Sequence, residues 1–552
     1  MSVNPHLSEG DARTAGDEHQ AVSRRALLRS ALGAVGAGLA GAVAARAQVT
    51  GLTPGGGTVP FRRPMGSLPY LDRNQYLNNM EIVSFVPGVE IAGGEPLMNM
   101  WAKGRQRLIA AGDGFLDISE PKNPVVIKTA GRVGGCLAYN TTLKKWIMMS
   151  SAQQPISRAV PRFPYGQYHN QRRDESMNYT GLRGIRTWDV TDPAKPALLQ
   201  EFSTGKNGWG THMNFYDGGK YAYLACGWDD QFRMENAQRP LGSGLMIVDL
   251  SDPANVREVS RFWVPGQRYG EEAEYQKYVF AGDQAAWNGT HSACSVPLRV
   301  EDGGKYGYGG FGHFGFHVFD FSDITKPRVA GRLLYDFETI GGIPYHTVYP
   351  VIADAAHPRL QNICLGLSET IQADCREPVR FPRVFDVSDP RNPRVVGLFP
   401  RPRPPKEAPY ADFCMARGRF GTHNIQAWLA PGVSRPELAA ISWFVAGCRI
   451  HDISDPTQPK EVAWFVPPRD GEMDDYESWW RGTSETVFVE WDRNLIWLGT
   501  HAGTYCLSTP ALGKPVLEPR KIERWTAPHC NVGWDDQTPS SAHLGRSLSQ
   551  LG

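Results

Sequence analysis

Four histidines recur at one place of a repeated sequence pattern. They lie in the segments GWGTHMNF, WNGTHSAC, IPYHTVYP and RFGTHNIQ, and they are His212, His291, His346 and His423. Imidazole is a ligand for Fe, Cu, Zn, Ni and Mn. If the fold brings the four rings together, they form a site for one transition-metal ion, with Fe or Cu favoured and Mn or Zn as alternatives. The competing interpretation is that a histidine encoded by the repeat only hydrogen-bonds the neighbouring repeat.

The elements that would position these histidines come from a repeat. Its clearest copy is RIHDISDPTQPKEVAWF, residues 449–465. Every copy has an apolar segment that ends in Asp, a Ser/Thr-Asp/Glu turn that usually includes Pro, and a second apolar segment. The Asp residues of the other five clear copies are Asp117, Asp189, Asp249, Asp320 and Asp386. A weaker copy begins at Tyr505, and successive copies are 54 to 72 residues apart, so each of the seven units has room for four short strands.

Seven units of four antiparallel strands predict an all-β fold, a seven-bladed β-propeller over residues 80–525. The first strand of each blade lines the central channel of a propeller, so side chains at equivalent positions point toward a common axis. The four histidines lie on these first strands. The other units have Leu97 or Met98, Cys136, and Ser484 beside Glu485 at this place. An arc of four histidines, absent from three units, indicates a site and not a requirement of the repeat.

The repeated motif D-[IVLF]-[ST]-[DE]-P resembles that of a known family, the LVIVD-repeat β-propellers of exported bacterial and archaeal proteins. The resemblance covers roughly residues 80 to 515. It implies the propeller fold and export from the cytoplasm. It implies no particular activity, because propellers carry many functions.

The N-terminal residues 1–47 have the features of a twin-arginine export signal. Arg24 and Arg25 precede a short Gly/Ala-rich apolar run and an Ala45-Arg46-Ala47 cleavage site. A basic disordered N-terminus is the alternative. We expect a periplasmic or secreted protein that is not an integral membrane protein after signal removal, because the apolar run is too short to span a bilayer. Residues 48–79 are expected to be a linker and residues 526–552 a disordered tail.

Two segments compete to supply the last strand of the ring. EIVSFVPG, from Glu81, resembles the fourth strand of a unit, and KPVLEPRKIERW, from Lys514, lies directly after the seventh unit. Both contain apolar residues suited to a strand, so the sequence leaves the choice open. Among the nine cysteines, Cys375 and Cys414 lie in predicted loops and are the expected disulfide pair.

The long insertions of the repeat all lie on the face where the first strands begin, and loops on a rigid scaffold often carry function. Their aromatic and charged residues can roof a pocket for an apolar or aromatic small molecule, or simply cover the blade tops. These residues are Tyr165, Tyr168, His169, Trp228, Asp229, Asp230, Phe232, Trp287, Asp412, Trp479 and Trp480. On the same face, His313, His501 and Glu369 are candidates for proton transfer. Glu369 and Glu485 can alternatively orient the ligand imidazoles.

Several classes of function are excluded. The 58 basic and 57 acidic residues give a net charge of +1, and the basic residues are scattered, so no nucleic-acid partner is expected. The chain has no P-loop, dinucleotide fingerprint, nucleophile elbow, HExxH or c-type haem motif. Three interpretations remain: an oxidoreductase or oxygenase that uses the four-histidine metal site, a metal-dependent hydrolase or lyase on the same site, and a non-catalytic binding propeller. The oligomeric state does not follow from the sequence.

Overall fold

The computed structural model describes thirteen stretches of the chain between residues 74 and 526. They are residues 74–91, 100–112, 114–129, 134–140, 142–153, 178–233, 242–278, 289–334, 342–371, 373–375, 377–416, 418–468 and 484–526. The predicted export signal, most of the predicted linker and the tail beyond residue 526 therefore lie outside the described residues.

The first half of the described chain contains fourteen strands. In chain order they are β1 (Tyr76–Asn78), β2 (Glu81–Pro87), β3 (Met100–Lys103), β4 (Gln106–Ala111), β5 (Gly114–Asp117), β6 (Val125–Lys128), β7 (Cys136–Asn140), β8 (Lys145–Ala152), β9 (Gly184–Asp189), β10 (Ala197–Ser203), β11 (Gly210–Thr211), β12 (Tyr221–Gly227), β13 (Gly244–Asp249) and β14 (Arg257–Phe262).

The second half adds thirteen strands and several short helical turns. The strands are β15 (Tyr306–Gly310), β16 (Phe316–Asp320), β17 (Arg328–Leu333), β18 (Ile343–Pro350), β19 (Ile363–Glu369), β20 (Arg383–Asp386), β21 (Arg394–Leu398), β22 (Leu438–Trp443), β23 (Gly447–Asp452), β24 (Lys460–Val466), β25 (Ser484–Glu490), β26 (Leu495–Thr500) and β27 (Gly503–Ser508). One α-helical turn, α1, spans Glu272–Tyr275, and 3-10 turns span Val300–Asp302, Gly312–Phe314, Pro358–Leu360, Ala373–Cys375 and Phe413–Met415.

The strands form seven antiparallel sheets, and the predicted seven-bladed β-propeller is confirmed. In chain order, blades one to seven are built on β3–β6, β7–β10, β11–β14, β15–β17, β18–β21, β22–β24 and β25–β27. In blades four and six the innermost strand is reduced to short bridges, Ser295 with Tyr308 and Ile425 with Ile441. These two irregular segments carry His291 and His423.

The repeated Asp-Ser/Thr-Asp-Pro sequence makes the turn between the third and fourth strands of a blade. In blade six, Asp452 Oδ1 accepts a hydrogen bond from the Ser454 amide at 2.8 Å, and Asp455 Oδ1 accepts one from the Thr457 amide at 3.0 Å. The first pair recurs in blade three, where Asp249 Oδ1 accepts from the Ser251 amide. Because an Asp side chain mimics a backbone turn in this way, the motif fixes a tight connection between the third and fourth strands of blades one to six.

The N-terminal part of the ring supplies its closing strand. β2 pairs with β27 from Glu81 opposite Ser508 to Pro87 opposite Gly503, so it is the fourth strand of blade seven. The competing segment from Lys514 forms no strand within its described residues. It contacts the turn between β25 and β26 instead, where the Val516 amide donates to the Arg493 carbonyl at 2.9 Å.

A three-residue strand lies within the segment that the sequence assigns to the linker. Tyr76–Asn78, assigned to the linker, forms β1 and pairs with β24 at the outer edge of blade six. Tyr76 is packed against the core, which explains why this short segment joins the sheet despite its Gly/Pro-rich surroundings.

A buried group of charges joins blade seven to blade one, and we call Arg107, Glu490, Asp492 and Arg493 the closure cluster. Arg107 lies on β4 and Glu490 ends β25. The Glu490 carboxylate contacts Arg107 Nη1 at 2.7 Å and Arg493 Nη2 at 2.5 Å, and all three side chains are fully buried. Trp497 Nε1 also donates to Glu490 at 2.8 Å. Buried charges of this kind are tolerated only when they are paired and hydrogen-bonded, as they are here.

The insertions on the loop-rich face are tied together covalently. Cys375 and Cys414 form the expected disulfide, which links the loop after β19 to the loop before blade six. Six further described cysteines are buried and reduced.

Across the stretches between residues 74 and 526 that the structure describes, no helix has both the length and the apolar character needed to cross a membrane.

Candidate metal centre

The Gly-Thr-His sequences fix the innermost segments against the preceding blades. Thr211 Oγ1 donates to the Gly184 carbonyl of blade two, and Thr422 Oγ1 donates to the Ser368 carbonyl of blade five at 2.6 Å. The Ala293 amide, two residues after His291, donates to the Met213 carbonyl at 2.8 Å. Neighbouring inner segments are therefore hydrogen-bonded to each other, which holds their histidines close together.

His346 lacks the Gly-Thr pair and is presented in another way. Its strand β18 pairs with β19 through a register shift between Ile343 and Thr347. Tyr345, directly before His346, has a φ of 51°, a left-handed value that is uncommon outside glycine. A bulge of this type turns side chains out of the regular alternation, and here His346 lies beside His291.

The structure brings the four histidine rings into one continuous arc. The distances between ring centroids are 4.3 Å for His212 and His291, 4.0 Å for His291 and His346, and 4.9 Å for His346 and His423. The two central rings are buried, whereas His212 and His423 are partly exposed at the two ends. The arc is thus accessible to solvent at its two ends and enclosed at its centre.

Glu369, the last residue of β19, lies against the middle of this arc. Its Oε2 is 3.3 Å from His346 Nε2 and 3.7 Å from His291 Nε2, and its Oε1 is 3.9 Å from His423 Nε2. Within the described residues, His291, His346 and Glu369 are the group whose ligand atoms all lie within 4.8 Å of one another. The sequence suggested proton transfer or imidazole orientation for Glu369, but the geometry places its carboxylate among candidate ligand atoms.

Glu369 also contacts a buried cation. Arg419 Nη2 bonds to Glu369 Oε1, and Arg419 Nε donates to the Thr370 carbonyl at 2.5 Å. The guanidinium carbon lies 3.8 Å from the centroid of the Phe444 ring, a close cation–π contact. Arg419 was not singled out from the sequence, although its place four residues before His423 is a signal that could have found it.

A second carboxylate extends the site from His423 toward the surface. His423 Nδ1 is 3.0 Å from Glu485 Oε2, and His501 Nε2 is 3.1 Å from Glu485 Oε1. His501 Nδ1 in turn lies 3.3 Å from Glu90 Oε2. The side chains of His501 and Glu90 are 29% and 33% exposed, so this His-Glu-His-Glu chain reaches solvent. Glu90 carries no repeat signal and was missed from the sequence.

The charges of this chain are strongly coupled. Burial opposes ionisation of Glu485, but His423, His501 and Arg419 outweigh it and hold the pKa of that carboxyl well below its usual range. Burial also acts against the His501 cation, yet the hydrogen bonds to Glu485 and Glu90 raise the pKa of His501 to about 10. His501 is therefore an imidazolium at neutral pH.

The remaining predicted residues occupy different surroundings. His212 Nδ1 lies 3.0 Å from Gln153 Oε1 at one end of the arc. His313 is buried in the 3-10 turn Gly312–Phe314, which packs against β18. His317 and His451 lie on third strands, as expected for structural histidines, and burial lowers their pKa to about 4 and about 3.

The described loop residues mostly pack on one another. Trp228 and Phe232 have ring centroids 4.6 Å apart, and Arg268 lies 5.0 Å from the Phe232 ring. Asp412 pairs with Arg401 at 2.8 Å. Of the other residues predicted to roof a pocket, Tyr165, Tyr168, His169, Trp287, Trp479 and Trp480 lie outside the described residues.

Comparison with known sequence families gives one match. Residues 241–264, which contain β13, its turn and β14, match the LVIVD repeat. The chain is a β-propeller with an LVIVD repeat. The match covers the segment on which the repeat was recognised, the third and fourth strands of a blade, and it lies outside the arc of histidines. Among curated protein sequences, none matches the chain significantly.

Three solved structures to which the chain is similar are distant from it in sequence. The β-propeller domain of Cps50 (Swd1) from Myceliophteria thermophila is 11% identical, with 79% of this chain and 99% of that chain covered and a TM-score of 0.39. Sqt1 from Saccharomyces cerevisiae is 7% identical over 80% of this chain and 88% of that chain, with a TM-score of 0.40. Raptor from Chaetomium thermophilum is 9% identical over 80% and 29% of the two chains, also with a TM-score of 0.40. Similarities at this level carry no argument about function.

Proposed function

We propose that this LVIVD-repeat propeller is an exported metalloprotein that holds one transition-metal ion between His291, His346 and Glu369. One observation carries the proposal: two imidazoles and a carboxylate, all buried, offer ligand atoms within 4.8 Å of one another. Such a group is costly to bury without a function, because each polar atom loses contact with water. His212 and His423, at the ends of the same arc, are proposed as further ligands.

The donor set favours redox chemistry. Two histidines and one carboxylate with open positions are the typical ligands of non-haem Fe(II) in oxygenases. The proposed activity is therefore an oxidoreductase or oxygenase that acts on an apolar or aromatic small molecule at the channel mouth. The same donor set also serves catalytic zinc, so a hydrolase or lyase is the second candidate. The identity of the ion separates the two.

The chain of residues from His423 to Glu90 supports a role in proton movement. It alternates imidazole and carboxylate with contacts of 3.0 to 3.3 Å. Groups within hydrogen-bond reach of each other can pass protons without bulk water. We propose that His501, which is an imidazolium held by Glu485 and Glu90 and reaches solvent, is a proton donor of the site. His313, whose 3-10 turn packs against β18, is proposed for a similar role.

Export is part of the proposal and is supported by the sequence. The paired Arg24 and Arg25, the short apolar run and the Ala45-Arg46-Ala47 site indicate the twin-arginine route and a periplasmic or secreted protein. That route carries folded proteins, so an ion bound in the cytoplasm can travel with the chain.

The first test is elemental analysis of the full chain purified without chelators or metal-affinity resins. We expect one equivalent of Fe or Cu, and we expect His291→Ala and His346→Ala each to lose most of it. His357→Ala is the matched control, because His357 also lies near two carboxylates, Asp354 at 2.8 Å and Glu437 at 3.6 Å, but outside the arc.

A different metal content would favour a different function. One equivalent of Zn or Mn would favour the hydrolase or lyase. A folded protein that contains no metal, and whose melting temperature does not rise when Fe(II), Cu(II), Zn(II) or Mn(II) is added, would remove the metal site, because an ion that binds the folded state must stabilise it. A non-catalytic binding propeller would then replace it.

A further inference from the structure

Arg419 is held at three points around the carboxylate of Glu369. It is fully buried, it bonds to Glu369 Oε1, and its Nε donates to the Thr370 carbonyl. Its guanidinium plane lies under the Phe444 ring with 3.8 Å between the guanidinium carbon and the ring centroid. Arginine offers a rigid planar set of donors, so these contacts leave the side chain one orientation.

Phe444 is in turn fixed by the backbone around it. It lies in the turn between β22 and β23 with a φ of 25°, an unfavourable value for a residue with a side chain. The Ser484 amide of blade seven donates to the Phe444 carbonyl at 3.1 Å, and the Val445 amide donates to the Arg419 carbonyl at 3.2 Å. Contacts within blade six and from blade seven therefore hold the Phe444 ring against Arg419.

The two oxygens of Glu369 consequently face different partners. Oε1 is engaged by Arg419, whereas Oε2 faces His346 Nε2 at 3.3 Å and His291 Nε2 at 3.7 Å. A carboxylate can bind a metal ion through one oxygen or through both. An oxygen that already accepts from a buried guanidinium is poorly available to an ion.

We propose that Arg419 is a positioning residue that restricts Glu369 to one metal-binding oxygen and so keeps a coordination position open for the small molecule. This inference rests on the proposed function, since it requires an ion between His291, His346 and Glu369. A simpler role, in which Arg419 only neutralises a buried carboxylate, would be met equally well by lysine. Lysine is a point charge and cannot reproduce the planar contacts to Glu369 and Thr370 together.

The test uses the full chain reconstituted with Co(II), whose visible absorption weakens as ligands are added. Arg419→Lys and Arg419→Met are compared with the wild type and with Arg401→Met. Arg401 is a matched control because it also combines a carboxylate, Asp412 at 2.8 Å, with an aromatic ring, Phe420 at 4.9 Å, away from the arc.

We expect both Arg419 variants to lower the molar absorption of bound Co(II), because the second oxygen of Glu369 enters the coordination sphere, and to bind Co(II) more tightly for the same reason. Arg401→Met should match the wild type in both respects. Because Arg419→Met can fail to fold, Arg419→Lys, which keeps the charge, then decides.

Three results would overturn the inference. The first is wild-type affinity and spectrum in folded Arg419 variants. The second is full rescue by lysine where methionine fails, which would leave charge neutralisation as the only role. In both cases the wild type binds Co(II), so the metal site survives and only the role of Arg419 is lost. A wild type that binds no Co(II) would instead remove the proposed function and this inference together.

Discussion

At the scale of single residues, the site is defined by which neighbour each polar atom faces. His346 and His291 share one oxygen of Glu369, while Arg419 holds the other. Glu485 divides its oxygens in the same way, between His423 and His501. Each carboxylate thus joins a pair of cationic or imidazole groups, which makes the arc and its surroundings a single connected network.

His501 gives a prediction about charge at the edge of this network. Its folded pKa of about 10 lies above the ordinary value of 6.5, so it should remain an imidazolium when nitrogen-15 histidine NMR spectra are recorded at pH 8. The stability contributed by its contacts is complete below pH 6.5 and is lost as the pH rises toward 10. Glu90→Gln should lower the pH at which His501 titrates by at least about one unit.

The same spectra contain their own control. His357 is similarly exposed and forms a surface ion pair with Asp354, outside the arc, so its signal should be unaffected by Glu90→Gln. A His501 that already titrates between pH 6 and 7 in the wild type would contradict the contacts with Glu485 and Glu90.

The histidines of the arc and two carboxylates beside them, Glu369 and Glu485, were named from the sequence, but Arg419 and Glu90 were not. His212, His291, His346 and His423 stand at equivalent places of a repeat, and a propeller turns equivalent places toward one axis. Glu369 stands at the end of a second strand, and its distance to the arc depends on the bulge at Tyr345. Arg419 and Glu90 lie in irregular segments whose paths no repeat encodes.

At the scale of strands, position within the blade decides what a histidine does. Histidines of the innermost segments meet in the arc, whereas His317 on β16 and His451 on β23 are enclosed in the sheets. His317 Nδ1 lies 3.0 Å from the Gly315 carbonyl, to which it donates. For both residues burial disfavours the charged ring, so each is neutral in the folded protein.

These two histidines predict a loss of stability in mild acid. Their folded pKa values of about 4 and about 3 lie below the ordinary 6.5, so their contribution is complete above pH 6.5. As the pH falls, the unfolded chain binds protons that the folded chain cannot, and each histidine removes about 1.4 kcal/mol of unfolding free energy per pH unit. Urea unfolding between pH 6 and 5 measures this slope.

The variant His451→Gln isolates the effect. It should reduce the slope by about 1.4 kcal/mol per pH unit, whatever its stability at pH 7. An unchanged slope would mean that His451 is protonated in the folded protein.

Strands were predictable to the extent that a motif marked their ends. The Asp-Ser/Thr-Asp-Pro turn fixes the third and fourth strands of blades one to six through hydrogen bonds such as that of Asp452 with Ser454. The three-residue strand β1 is followed by no turn motif. It joins blade six by pairing with the outer edge of β24. The innermost strands of blades four and six are likewise shorter than the repeat suggested, because backbone near the axis bonds to neighbouring blades as well as to its own.

At the scale of the whole molecule, the ring depends on the junction between blades seven and one. Glu490 in the closure cluster pairs with two fully buried arginines, Arg107 and Arg493, and Asp492 also pairs with Arg107. Glu490→Gln should lower the free energy of unfolding by about 3 to 5 kcal/mol, because it leaves the buried Arg493 without its carboxylate partner. Urea unfolding followed by tryptophan fluorescence measures the change.

The control for this variant is a carboxylate in an exposed ion pair. Glu258 and Arg261 are each 37% exposed, and Glu258→Gln should cost less than about 1 kcal/mol. Equal effects of the two substitutions would show that the closure cluster contributes no more than a surface pair.

The junction also sets the order in which the chain can fold during synthesis. Thr509 Oγ1 of the last blade donates to the Asn79 carbonyl, 430 residues earlier, and β2 finds its partner only when β27 has left the ribosome. At about 5 to 20 residues per second, β2 waits for roughly 20 to 90 seconds with both of its edges unpaired. One of the first strands to be made is thus among the last to be placed, and the ring closes in a late step of synthesis.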